Sequence, residues 1–176
     1  MKIKFIPIFC ILVFTLVFAY PRPIFADSSS SGYAWSENVG WIDFSLVTVT
    51  DTVISGYAYG PNIGWISFNC ANTNSCATVD YKVENNNGQL TGSAWGENVG
   101  YIDFSPVEIN TTTGYFYNYA YGPNIGWISM NCENTNTCAT VNYKAITNWR
   151  PPVVHSGYHA PGGGGSSSAG SSSGSS

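Results

Sequence analysis

The chain has 176 residues, with 6 Trp, 12 Tyr and 9 Phe but only 6 Lys+Arg against 10 Asp+Glu, for a net charge of −4. Many aromatics with few charges exclude a disordered polyelectrolyte, and the acidic balance excludes nucleic acid as a partner. The length supports one domain or two very small ones.

Residues 1–26 read as a secretory signal peptide. Lys2 and Lys4 make a basic start, Phe5 to Tyr20 is apolar apart from Thr15, and Phe25-Ala26-Asp27 offers a cleavage point. The apolar run is shorter than the ~18 residues of a spanning helix, so the mature chain is expected not to span a membrane. An uncleaved anchor is the alternative, because Pro21 and Pro23 interrupt the leader and the bulky Ile24 stands three before the cut. Cleavage leaves Lys82, Lys144 and Arg150 against ten acids, a charge of −7. The expected place is extracellular or in the cell envelope. Residues 27–31 are expected to be a short linker.

Four segments then align without gaps. They are Gly32-Tyr-Ala-Trp-Ser-Glu-Asn-Val-Gly-Trp-Ile-Asp-Phe44, Gly56-Tyr-Ala-Tyr-Gly-Pro-Asn-Ile-Gly-Trp-Ile-Ser-Phe68, Gly92-Ser-Ala-Trp-Gly-Glu-Asn-Val-Gly-Tyr-Ile-Asp-Phe104 and Asn118-Tyr-Ala-Tyr-Gly-Pro-Asn-Ile-Gly-Trp-Ile-Ser-Met130. Copies one and three pair, as do two and four, so the larger unit is a duplication with modules at 32–91 and 92–150. Each copy is expected to be a hairpin around a loop of about five residues, with the Asn side chain closing its own loop and the following Gly at positive φ. The repeated Ala suggests a close approach that admits one methyl.

Strand alternation puts Ile42/Phe44, Ile66/Phe68, Ile102/Phe104 and Ile128/Met130 on one face. That face is never polar, so it is expected to be the core. Trp35, Trp41, Trp65, Trp95, Tyr101 and Trp127 fall on the other. Further strand-like runs at 46–54, 78–84 and 106–110 predict a recurring three-stranded meander, with compact turns at Asn85–Gly88 and Thr111–Gly114. No stretch has convincing helical periodicity. The fold class is therefore all-β: an internally duplicated set of short antiparallel strands, sandwich or barrel-like, with a short β-solenoid as the alternative.

Cys70, Cys76, Cys132 and Cys138 form a C-x5-C pair at the same place in each half. Cys70–Cys76 and Cys132–Cys138 disulfides are the economical assignment, although four thiols allow three pairings. Zinc is the rival, but the spacing lacks the usual ligand pattern and His155 and His159 lie outside the repeats. From Pro151 the pattern stops, and residues 151–176 run into a Gly/Ser-rich disordered tether.

The repeated G-x-A-W-S-E-N-V-G-W-I-D-F string, the C-x5-C loop followed by Ala-Thr-Val-x-Tyr-Lys and the closing Asn148-Trp-Arg-Pro151 resemble a repeat family seen in predicted exported proteins of uncultured candidate-phylum bacteria. The resemblance spans 32–151. It implies a bacterial envelope or extracellular protein and supplies no catalytic residue. Copy four departs from the pattern at Asn118 and Met130.

Three functions compete. A structural or display module with the tail as tether, or one that meets a protein partner at the cell surface, needs nothing further. A carbohydrate-binding module would use the six outward aromatics as a stacking platform for glycan, whereas the same rings could instead pack between repeats. A glycoside-active enzyme would need carboxylate pairs such as Glu37/Asp43 and Glu97/Asp103. Those acids recur as turn residues, and the repeats hold no histidine, so a non-catalytic protein is expected. Calcium would need an Asp-rich loop, which is missing. No metal and no cofactor are expected.

Overall fold

The computed structural model describes residues 28–153, which form an all-β barrel. Residues 1–26, expected as a signal peptide, both histidines and most of the stretch 151–176, expected as a tether, lie outside the described residues. No helix among the described residues is long and apolar enough to cross a membrane.

The four sequence motifs are four hairpins: β1 (Ser28–Ser36) with β2 (Gly40–Val49), β3 (Val53–Gly60) with β4 (Gly64–Ser67), β6 (Gln89–Gly96) with β7 (Gly100–Asp103), and β10 (Tyr119–Gly122) with β11 (Gly126–Ser129). Antiparallel pairing of β2 with β3, β4 with β6, β7 with β10 and β11 with β1 closes them into an eight-stranded ring. Closure removes every sheet edge from that ring, which an open arrangement would expose.

Below the hairpins the ring continues on shorter pieces. β5 (Val83–Asn86) takes the place of β4 between β3 and β6. β8 (Glu108–Ile109) pairs with β6 and with β9 (Phe116–Tyr117), β12 (Ala145–Thr147) pairs with β1, and a Tyr115–Ile146 bridge joins the last two lines. The duplication is thus not a division of the fold. The 91/92 boundary runs through β6, both halves share one core, and Ser28–Ser31, expected as linker, begin β1. This is a barrel rather than a solenoid.

The isoleucine and phenylalanine face is inside, as the alternation predicts. Val39, Ile63, Val99 and Ile125 plug the turn end. Next come Ala34, Ala58, Ala94 and Ala120, each opposite Ile42, Ile66, Ile102 or Ile128, and all eight are buried. The small–large pairing lets eight strands converge without overfilling the interior. Phe44, Phe68, Phe104 and Met130 form the third layer, with Phe44–Phe68 and Phe68–Phe104 centroids 5.8 and 4.9 Å apart. Burying each such side chain contributes ~1.5–3 kcal/mol. Trp149 is buried at the far end, where its Nε1–H donates to Asp51 Oδ1 at 2.8 Å.

The turns differ from expectation in one respect that matters. Each loop has three residues, not about five, and is tightened in three copies by the amide of Ile63, Val99 or Ile125 donating to Gly60, Gly96 or Gly122. The loop Asn does not close its own turn. Asn38 Nδ2–H donates to Ile125 O, Asn62 to Val39 O, Asn98 to Ile63 O and Asn124 to Val99 O, at 2.9, 3.1, 3.0 and 3.0 Å. Every hairpin tip is therefore tied to its neighbour in a closed ring of four. Two residues after each Asn, Gly40, Gly64, Gly100 or Gly126 holds φ of 76–80°.

The departure at Asn118 has a local cause. Gly56, its counterpart, has φ 78°, and a Cβ there would meet Leu46 O of the adjoining β2. Asn118 keeps the left-handed backbone at φ 67°, but β7 ends at Asp103 and does not run alongside it. Positive φ without that crowding admits Asn, the non-glycine residue most at ease there.

The meander also needs correction. Residues 46–54 are the end of β2, a turn at Thr50–Thr52 and the start of β3. Thr50 Oγ1 donates to Val53 O and accepts from Val53 N, replacing a Gly or Pro signal. Of 78–84 only Val83 and Glu84 are strand, and of 106–110 only Glu108 and Ile109. The compact turns at 85–88 and 111–114 are present, with Asn87 and Gly88 both at positive φ in the first and Gly114 in the second.

Candidate functional site

The barrel interior is filled, so surface chemistry is carried by the outer face. Cross-strand register lays its side chains in rows. Tyr119, Ser129, Trp35 and Trp41 stand opposite one another across β10, β11, β1 and β2, and Tyr57, Ser67, Trp95 and Tyr101 repeat the row across β3, β4, β6 and β7. Within each hairpin the rings pair. Trp35–Trp41, Tyr59–Trp65, Trp95–Tyr101 and Tyr121–Trp127 centroids are 4.6, 4.8, 4.8 and 4.8 Å apart at tilted or edge-on angles, a geometry that adds ~0.5–1.5 kcal/mol to each pair.

All six predicted aromatics lie on this face. Trp41, Trp65, Tyr101 and Trp127 are exposed, Trp127 most at 58%, while Trp35 and Trp95 are half-buried. They do not seal an interface between two modules. Tyr59 and Tyr121, the exposed cross-strand partners of Trp65 and Trp127, belong to the same surface and were missed. The signal was present: they occupy the place of Trp35 and Trp95 in copies two and four.

The disulfide loops shape this surface. Cys70–Cys76 and Cys132–Cys138 are bonded, each with Cα atoms 4.9 Å apart. Between β4 and β5, and between β11 and β12, the chain leaves the barrel, makes a 3-10 turn (Cys70–Thr73 or Cys132–Thr135) and returns through an Asn69–Lys82 or Asn131–Lys144 bridge. Asn72 fastens the first loop: its amide donates to Gly56 O at 2.7 Å and to Ser67 Oγ at 3.0 Å, while its oxygen accepts from Gly56 N. Asn134 does the same with Asn118 and Ser129. Tyr57 and Tyr119 hydroxyls donate to the backbone oxygens of Asn72 and Asn134.

This explains why copies two and four carry Ser where one and three carry Asp. Ser67 and Ser129 are buried under the loops, fully engaged by them, and a carboxylate there would be desolvated. Asp43 and Asp103 instead accept from Ser45 N and Ser105 N at 2.8 Å on uncovered chain.

Loop, seam and aromatics together make two matching clefts. One, about 520 Å³, opens over the β11–β1 seam between Trp127 and Trp35, with Glu37, Tyr119 and Thr135 on its walls. The other, about 390 Å³, opens over the β4–β6 seam between Trp65 and Trp95, with Glu97, Tyr57 and Thr73. Of the four acids considered as carboxylate pairs, only Glu37 and Glu97 line the clefts. Glu37 lines the first cleft, whereas Asp43 lines a separate notch of about 120 Å³. Burial raises the Tyr119 hydroxyl above its ordinary pKa, with the nearby Tyr143 adding to it. No group of three His, Cys, Asp or Glu among the described residues could hold a metal.

The fold and surface define a class: a disulfide-braced, eight-stranded antiparallel barrel with a filled interior and an aromatic exterior. No protein-family model, curated protein or solved structure matches the chain.

Proposed function

We propose that the chain is a non-catalytic interaction module of the bacterial cell surface or extracellular space, recognising its partner with the outer aromatic face. The observation that carries this reading is the exposure of Trp41, Trp65, Tyr101 and Trp127 on a rigid closed barrel. Large rings left in water at matching places on successive hairpins are a cost to solubility that a contact surface explains. Rigid strands hold them with little ordering to be lost on binding.

Export is supported by the two disulfides, which persist in oxidising compartments, and by the leader and the family resemblance drawn from the sequence. Display fits the same picture, with residues 151–176 as tether. The test is retention of purified protein on bacterial envelope material. The triple variant Trp41→Ala, Trp65→Ala, Trp127→Ala should bind at least about tenfold more weakly, since each stacked ring is worth ~0.5–1.5 kcal/mol. Equal retention by the wild type and a folded triple variant refutes it.

A further inference from the structure

We infer that the two clefts are two equivalent sites for neutral, β-linked pyranose chains, and that the protein joins two such chains rather than wrapping one. The inference rests on the outer aromatic face being the contact surface and adds the ligand class, the number of sites and their consequence.

The two clefts share their main walls across the duplication, Trp127 with Trp65, Trp35 with Trp95 and Glu37 with Glu97, while Val79, Tyr81 and Tyr101 extend the second and their counterparts Val141, Tyr143 and Trp41 line a neighbouring hollow instead. The duplication gives both the same loop overhang and the same buried serine beneath, so whatever ligand fits one fits the other.

The lining selects the chemistry. Two indoles line each slot and give it an apolar wall for a flat ligand. A pyranose whose substituents are all equatorial has axial C–H bonds on both faces and hydroxyls around its rim, so it can stack while its rim meets polar groups. Glu37 or Glu97 and the Thr135 or Thr73 hydroxyl supply such groups. Each cleft carries a carboxylate and neither is lined by Lys or Arg, so an anionic sugar is repelled.

The topology supplies the consequence. Around the ring the β11–β1 and β4–β6 seams are separated by four strands in either direction, which puts the clefts on opposite sides of the barrel. A short oligosaccharide in one cannot reach the other. Two polymer chains can be held at once, which turns weak single-site binding into cross-linking.

The experiment is calorimetric titration of the folded, disulfide-bonded protein with cellohexaose and with chitohexaose. Maltohexaose is the α-linked contrast and a hexagalacturonate the anionic one. At least one β-linked hexamer should bind with about two equivalents per chain and the contrasts should not. Trp127→Ala or Trp65→Ala should each halve that number and leave the remaining site unchanged. Thr135→Trp, which fills the first cleft from the loop side, should do the same if removal of Trp127 disturbs folding. Dynamic light scattering with a soluble β-glucan, or with glycol chitin where chitohexaose is the ligand, should show large particles with the wild type and none with either single-site variant. Failure of both β-linked hexamers to bind, a single equivalent in the wild type, or scattering unchanged by the variants overturns the inference. So does titration of the clefts by a proline-rich peptide alone. If envelope retention still falls in the triple variant, the wider reading survives that failure; if it does not fall, both are lost.

Discussion

Removing one loop asparagine should weaken the barrel by an amount that is the same at all four tips. Asn38, Asn62, Asn98 and Asn124 each donate one hydrogen bond of 2.9–3.1 Å to a carbonyl on the neighbouring tip. The residues themselves are exposed, so water can reach the carbonyl left behind. The cost of Asn→Ala is then the net worth of a hydrogen bond, about 1 kcal/mol, rather than the larger penalty for an orphaned buried group. Asn38 and Asn98 share no partner, so their double variant should lose about 2 kcal/mol, and the quadruple variant about 4 kcal/mol. That is a large fraction of the roughly 5–15 kcal/mol holding a domain together. Urea unfolding under oxidising conditions reads these values from the midpoint at constant slope. Four single losses near zero, or one tip costing several times the others, would refute the cyclic tie.

Phe68→Ala should cost ~3–5 kcal/mol in the same urea experiment, because Phe68 is fully buried between Phe44 and Phe104. Gly56→Ala should be far more damaging than Asn118→Ala, since only at 56 does a Cβ run into a neighbouring carbonyl; thermal midpoints of the two variants compare them. Reduction of both disulfides should cost about 2 kcal/mol each by loop entropy yet leave the barrel's circular dichroism intact, because Asn72 and Asn134 still fasten the loops. The raised Tyr119 hydroxyl favours the protonated folded state, so its contribution is complete below pH 10, the ordinary tyrosine value, and is lost as pH rises through the higher folded value. Tyr119→Phe should remove part of the alkaline drop in stability measured from pH 9 to 11.

Legibility in the sequence followed the range of the interaction. Ile42, Phe44 and their counterparts could be assigned to the core because strand alternation is local and four copies repeat it. Gly40 and its counterparts could be assigned to turns for the same reason. Asn38 was misassigned to its own loop because a single copy cannot show that its partner, Ile125 O, lies 87 positions away. The turn at Thr50–Thr52 was hidden because a hydroxyl does there what Gly or Pro would signal. Val79 and Tyr81 alternate like a strand, but the disulfide excursion carries them outside the barrel. At the candidate site the aromatics were legible one by one. The clefts were not, since each is made by two hairpins and a loop that come together only when the ring closes.

Ring closure is tested most directly by nuclear Overhauser contacts between the first and last strands. Backbone contacts from Trp35 to Ser129 and from Gly32 to Ala145 are expected, together with shielding of the Ile42, Ile66, Ile102 and Ile128 methyls from a soluble paramagnetic probe. Strong bleaching of those methyls, or sequential-neighbour contacts alone with none joining β1 to β11 and β12, would contradict the barrel and everything built on it.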